Sequence, residues 1–248
     1  MKKYVILSLL TLSSLNAQQD DSFAHDNGSE TSVRETPKLL HIYSEIIEIS
    51  SIEYAELMTD PMTSTNQTAL RNKLIQQVKA GDAKLFSNQS ITTRSRERAT
   101  IESIKEFIYE TEYEPGESIP STNNKNAKNL GFQMVLPPTP TAFEVRNLGT
   151  IIEVEPIFSK IPKVIDITFS PEIAKQTGYN ILSEWNTKLA KVNVQMPNIY
   201  TMRLKTSFTA YDNQFTLVAT YSPETNGVTD ESRKLLHFVK ASILEVTK

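Results

Sequence analysis

Between Pro140 and Glu172 the chain reads Pro-Thr-Ala-Phe-Glu-Val-Arg-Asn-Leu-Gly-Thr-Ile-Ile-Glu-Val-Glu-Pro and, after a short link, Val164-Ile-Asp-Ile-Thr-Phe-Ser-Pro-Glu172. Both stretches are rich in Val, Ile, Phe and Thr, residues that fit a pleated, half-buried surface. Phe143–Val154 and Val164–Phe169 are separated by Ser159-Lys-Ile-Pro-Lys163, and this spacing reads as an antiparallel strand pair. A chain with such a pair at its centre has to build the rest of its fold around a β-sheet.

The flanking sequence agrees with that choice. From Lys38 the pattern is strand-like, with Leu40, Ile42 and Ile46 on one side and Tyr43, Ile47 and Ile49 on the other. Ser51–Met58 reads as a short helix closed by Asp60-Pro61. A second helix is predicted over 65–79, capped by Ser64 or Thr65, with an apolar stripe of Leu70, Leu74, Ile75 and Val78 and Gly81 as its C-terminal cap. Residues 83–109 give two strands joined at Ser95–Arg98, with Ala99, Ile101 and Phe107 on one face. The stretch Glu110–Pro138, with Pro115, Gly116, Pro120 and Gly131, reads as a long loop, mobile over 114–138. From Thr139 to Val246 the chain is almost entirely strand-like. The predicted class is α+β, mainly antiparallel β: a sandwich-like domain over 38–248 with one or two N-terminal helices.

The wording of these segments resembles the secretin homology domain, the ring-forming outer-membrane core of bacterial type II and type III secretion and type IV pilus machines. Besides Pro140–Glu172, the resemblance is carried by Leu40–Ile49, an opening strand, and by Ile91-Thr-Thr-Arg-Ser-Arg-Glu-Arg-Ala-Thr-Ile101, similar to the family's paired strands around a turn. Tyr211-Asp-Asn-Gln-Phe-Thr-Leu-Val218 resembles the strand secretins write Asp-Gly-Gln-Thr, and Lys234-Leu-Leu-His-Phe-Val-Lys240 resembles their closing strand. The resemblance spans roughly 38–246. It implies a secretin-type β domain, a non-enzymatic role, and pilus or secretion components among its partners. Three departures stand beside it. About twenty residues separate a signal peptide from the first strand, Ala219-Thr220 replaces a Gly-Gly, and the connector before the closing strand is cut to Ser222–Ser232.

Met-Lys-Lys-Tyr followed by the apolar Val5–Leu15 and Asn16-Ala17 describes a secretory signal peptide over 1–17, too short to span a bilayer. The expected address is export to the periplasm or outer membrane. Gln18–Pro37 is polar and reads as a disordered leader. Cleavage removes two lysines and no acids, taking the net charge from -3 to -5. Nucleic acid is not an expected partner, because phosphate binding needs clustered Lys and Arg. The densest basic cluster, Arg94-Ser-Arg-Glu-Arg98, reads as a solvated turn. The chain has no cysteine, hence no disulfide framework and no thiol chemistry.

The search for reactive groups names candidates but assigns no catalytic, metal or cofactor residue. His25, His41 and His237 are scattered, without a second ligand at metal spacing. His41 and His237 are expected as half-buried sheet residues. Glu153 and Glu155, two apart on a strand, share a face with Asp166 expected across from them; such a set could hold a cation or move protons, but an exposed acidic face needs neither role. Trp185 reads as a rim or core aromatic. Three readings of function follow: an assembly component of a pilus or secretion apparatus, a periplasmic or surface module that binds protein, and a pore-forming ring. The interaction surface is expected in the 114–138 loop or at a sheet edge at Leu235–Leu244. Partners are other envelope proteins or further copies of the chain.

Overall fold

The computed structural model describes residues 37–61, 66–116, 118–119, 134–186, 191–225 and 227–246. The chain divides into two units, 1–35 and 36–248, and the described residues all fall in the second. The signal peptide, His25 and nearly all of the polar leader lie outside them, as does most of the 114–138 loop.

The strands are β1 (Lys38–Ser50), β2 (Lys84–Thr93), β3 (Ala99–Glu114), β4 (Ser118–Ile119), β5 (Met134–Val135), β6 (Thr139–Phe158), β7 (Val164–Asn186), β8 (Lys191–Arg203), β9 (Thr206–Tyr211), β10 (Phe215–Tyr221), β11 (Glu224–Thr225), β12 (Val228–Thr229) and β13 (Arg233–Glu245). Between β1 and β2 lie the helices α1 (Ser51–Thr59) and α2 (Gln67–Ala80). All strand pairings are antiparallel. The predicted α+β class with two helices is the one observed.

Two sheets face each other. The first has the order β10-β13-β1-β2, the second β3-β6-β7-β8 with β9 also paired to β7. The period of two in β1 sets the layering: Leu40, Ile42 and Ile46 face the second sheet, while Ile47 and Ile49 face the helices. The main core joins Leu40, Ile42 and Val239 of one sheet to Ile152, Val154, Ile165, Ile167 and Phe169 of the other. Behind the first sheet, Leu57 of α1 and Leu70 and Leu74 of α2 pack on Ile47, Leu236 and Phe238.

Ser50 caps α1 by accepting from the Glu53 N–H. The side chain of Asn66 caps α2, in place of the expected Ser64 or Thr65, which lie outside the described residues. Gly81 closes α2 with φ of 91°, a left-handed position that costs glycine nothing. Arg71 of α2 reaches Glu45 on β1, with its Nη2 donating to Oε2 at 2.8 Å. Glu45 is 1% exposed, so its charge depends on that guanidinium and on the Tyr43 hydroxyl, which also donates to it. The hydrogen bond to Glu45 raises the Arg71 pKa above its ordinary value.

The paired strands expected around Ser95–Arg98 are not partners. β2 pairs with β1 and β3 with β6, so the turn carries the chain from one sheet to the other. Glu110–Glu114, expected as the start of the long Pro- and Gly-containing loop, continues β3 and pairs with Thr139–Phe143 of β6. The expected edge at Leu235–Leu244 is corrected as well, because β13 lies between β1 and β10 and Val239 is fully buried. Tyr200–Ala210 is divided between β8 and β9, which keep one register along β7 and are interrupted opposite Pro171, which has no N–H to give.

Replacing Arg71 by Met strands a buried carboxylate and is expected to lower unfolding free energy by about 3–5 kcal/mol. The same change at Arg203, whose pair with Glu172 lies on the surface, is expected to leave the unfolding free energy little changed. Urea denaturation of both variants checks the difference.

Candidate assembly surfaces

The second sheet outruns the core that it covers. The β6–β7 ladder runs from Phe158↔Ile165 to Gly149↔Ala174 and stops there. Beyond it, β6 stays paired only with β3, and β7 only with β8. Two hairpin arms result: Lys105–Glu114 with Thr139–Leu148, and Lys175–Asn186 with Lys191–Tyr200.

Glycines mark both departures. Gly149 has φ of 136°, and a Cβ there would stand 2.1 Å from the Ser103 carbonyl oxygen, so no larger residue fits where β6 crowds β3. Gly178 has φ of 155° and follows a bulge whose extra residue is Thr177, between Gln176↔Ile199 and Gly178↔Asn198.

The arms carry apolar side chains that the core does not cover. On the first arm Ile108, Phe143 and Val145 are 63, 57 and 58% exposed, and on the second Leu182 is 64% exposed. Neither face of the first arm is free of charge. Glu102, Glu106 and Glu110 share a face with Ile108, Phe143 and Val145, while Lys105, Glu144 and Arg146 occupy the other. Single scattered apolar residues on a surface need no explanation; here Ile108, Val145 and Phe143 lie side by side with Glu106 and Glu110 flanking them.

The edges have unequal protection. At β10 the Phe215 N–H donates to Thr68 Oγ1 at 2.9 Å and the Leu217 N–H to Gln67 Oε1 at 2.8 Å, so the first turn of α2 caps that edge. The outer edges of β3 and β8 pair with no other strand among the described residues. They approach each other where the Tyr113 side chain hydrogen-bonds to the Gln195 backbone. Burial, then Glu110, raises the Tyr113 pKa. Nearby on β8, Asn193 Oδ1 is buried without a hydrogen-bond partner among the described residues.

The residues named from sequence fall in structural settings. Glu153 and Glu155 share the outer face of the second sheet and are both held by Arg98, at 3.5 and 3.1 Å. Asp166 lies across from Ile157, not from either glutamate, and accepts from Thr209 Oγ1 at 2.7 Å. The acidic face is thus neutralised from the Arg94–Arg98 turn, where Arg94 also pairs with Glu97. No group of three or more metal-ligating side chains occurs among the described residues. Trp185 is half-buried near the tip of the second arm, and His41 is half-buried beside Thr92, 2.9 Å from its hydroxyl.

His237, expected half-buried, is 1% exposed. Its Nε2 lies 2.7 Å from Ser44 Oγ, and Phe169 packs edge-on at 5.3 Å. Burial lowers its pKa to about 3. Ser44 is buried as well, so this serine–histidine contact opens onto no substrate. The arms were missed because glycines at bends give weak signals in a strand pattern; the length of β7, twenty-three residues with apolar positions only in its first half buried, was the available clue.

No family model matches the chain, and no curated protein does. Among solved structures, the type II secretin GspD of enteropathogenic Escherichia coli is 14% identical with a TM-score of 0.38, covering 84% of this chain and 70% of that one. InvG of the Salmonella SPI-1 type III secretion injectisome is 12% identical at TM-score 0.38, covering 85% and 64%. PilQ, the type IV competence pilus secretin of V. cholerae, is 12% identical at TM-score 0.32, covering 84% and 59%. The chain therefore spans less than two thirds of the last two.

Because the folded state holds His237 neutral, its stabilising effect is complete above pH 6.5 and is lost as pH falls toward about 3. The loss is expected to reach roughly 4–5 kcal/mol at full protonation. Denaturation midpoints taken between pH 7 and pH 4 should fall more steeply for the parent than for His237→Gln.

Proposed function

We propose that this chain is a non-enzymatic, exported envelope protein that acts as an assembly component of a type IV pilus or a type II or III secretion apparatus, and that it assembles with copies of itself through its two arms. The observation that carries this reading is the outer edges of β3 and β8, which pair with no other strand among the described residues. An unpaired strand edge is a row of unused donors and acceptors, ready to pair with another chain.

Topology favours a copy of the same chain as the partner. The second sheet has the antiparallel order β3-β6-β7-β8, so its two outer strands run in opposite directions. Setting β8 of one copy beside β3 of the next continues the alternation without a break. Such a contact is head-to-tail, and a head-to-tail contact closes into a ring when its rotation permits. The unpartnered Asn193 Oδ1 lies on the strand that this contact would cover, and a buried acceptor left unpaired costs about 1–3 kcal/mol. The resemblance of the sequence to secretins supports the same reading. Signal peptide, export and pilus or secretion partners come from the sequence wording alone.

The charges on the first arm shape the proposal. A strand that crosses lipid turns one apolar face outward, and Arg or Lys near the midplane costs about 2–4 kcal/mol. With charges on both faces, the first arm is suited to pairing in water or within a protein wall. Among the described residues no helix is long and apolar enough to cross a membrane, which leaves strands unaddressed.

Light scattering on the exported protein, with and without detergent, is expected to give one multi-copy species. Gln195→Lys, placing a charge on β8 without touching the buried Asn193 side chain, is expected to convert it to single copies without unfolding it. A single-copy mass for the parent in both conditions would contradict the proposal.

A further inference from the structure

The connector before β13 contains a small structure that neither the core nor the open edges require. β11 and β12 pair as a hairpin, Glu224↔Thr229 and Thr225↔Val228, tied at its base by the Asp230 N–H donating to the Pro223 carbonyl at 2.7 Å. The hairpin lies against the root of the second arm. The Tyr200 hydroxyl donates to the Ser222 carbonyl, Thr177 Oγ1 donates to Glu224 Oε1 at 2.7 Å, and Lys234 Nζ donates to Ser222 Oγ at 2.7 Å. Gly227 approaches Asn198 so closely that a Cβ would stand 2.9 Å from Asn198 Nδ2, and its φ is 78°. Asn198 Nδ2 in turn donates to Asn180 Oδ1 across the arm at 3.2 Å.

These contacts converge on one point. Thr177 is the extra residue of the bulge, and Asn198 pairs with Gly178 just beyond it. A bulge bends the strand that carries it and increases the local twist. A bend with nothing against it is a hinge; here one strand holds the hairpin's carboxylate and the other its backbone.

We propose that the Pro223–Asp230 hairpin is a strut that fixes the angle at which the second arm leaves the sandwich, with Thr177, Asn198 and Tyr200 as positioning residues. The functional consequence rests on the reading of the arms as assembly surfaces, since the β8 edge can meet another copy only at a defined angle. The strut itself is a property of one chain. Two hydroxyls, Thr177 and Tyr200, carry its hydrogen bonds to the arm, so a change that draws Glu224 or Ser222 away frees the hinge without disturbing the buried core.

The absence of native cysteine permits a direct test. Spin labels at Ser183→Cys on the arm and Lys79→Cys on α2 report the distance between arm and sandwich. The labelled chain is diluted into unlabelled protein, so that each pair reports on a single copy. The parent is expected to give one narrow distance distribution. Thr177→Val with Tyr200→Phe, which removes both hydroxyls and keeps both shapes, is expected to widen it about twofold, as a locally opened segment would. Glu224→Ala, a change on the strut alone, provides the second reading if that pair fails to fold. Thr168→Val, which removes a hydroxyl on the same strand away from the hairpin, is expected to leave the width unchanged. A distribution as narrow as the parent's in both strut variants would overturn the proposal. Because the readout is a distance within one chain, it holds whether or not copies assemble: widening without assembly would sink only the assembly reading.

Discussion

The constraint on which the rest of the structure depends is the mismatch between the length of the strands in the second sheet and the extent of the first sheet. β7 has 23 residues, and its buried positions end at Ala174. Up to that point Ile165, Ile167, Phe169 and Ile173 have partners on β1, β13 and β6. Beyond it none of the described residues of β7 is buried, and a sheet without cover cannot hold apolar residues on hydrophobic burial alone. The chain responds by splitting: β6 keeps β3, β7 keeps β8, and glycines at 149 and 178 absorb the bends.

Edge chemistry follows from that split. The fold does protect an edge where it has material at hand, as Gln67 and Thr68 do for β10. At β8 the side-chain contact with the strand backbone is that of Tyr113 with Gln195, and the connector supplies a hairpin that holds the arm root. A protein that caps one edge and braces another without capping it has edges in two classes. Stability alone accounts for the capped one. The braced arm makes sense when its edge has to be presented in a set direction, and the buried, unpaired Asn193 Oδ1 lies along it.

What the sequence disclosed was local. The antiparallel partnership of β6 with β7, found over Gly149–Phe158 and Ile165–Ala174, the helix expected over 65–79 with its Gly81 cap, found at Gln67–Ala80, and the two-sided pattern of β1 are all set by periodicity and by residue chemistry within a few positions. What it did not disclose was partnership. Nothing in Thr92-Thr-Arg-Ser-Arg-Glu-Arg98 says whether its turn closes a hairpin or crosses between sheets, because both solutions bury the same alternate residues. β13 was expected at an edge, whereas its run of buried residues, Leu235 to Val239, is what a central strand requires. Glu110–Glu114 stands next to Pro115 and Gly116, whose turn chemistry does not show that pairing with β6 continues up to them. The acidic set at Glu153, Glu155 and Asp166 was legible as a surface, but the guanidinium of Arg98 that holds the two glutamates comes from a turn more than fifty positions away.

The most direct test of the account is amide hydrogen exchange in the native protein, read along β3 and β8 on the arms. If copies pair edge to edge, the outward amides of Lys105–Glu110 and Val192–Ile199 should be protected as strongly as those of β6 and β7, and protection should fade when the protein is diluted to single copies. Outward amides on both strands that exchange at free-edge rates at every concentration would contradict it.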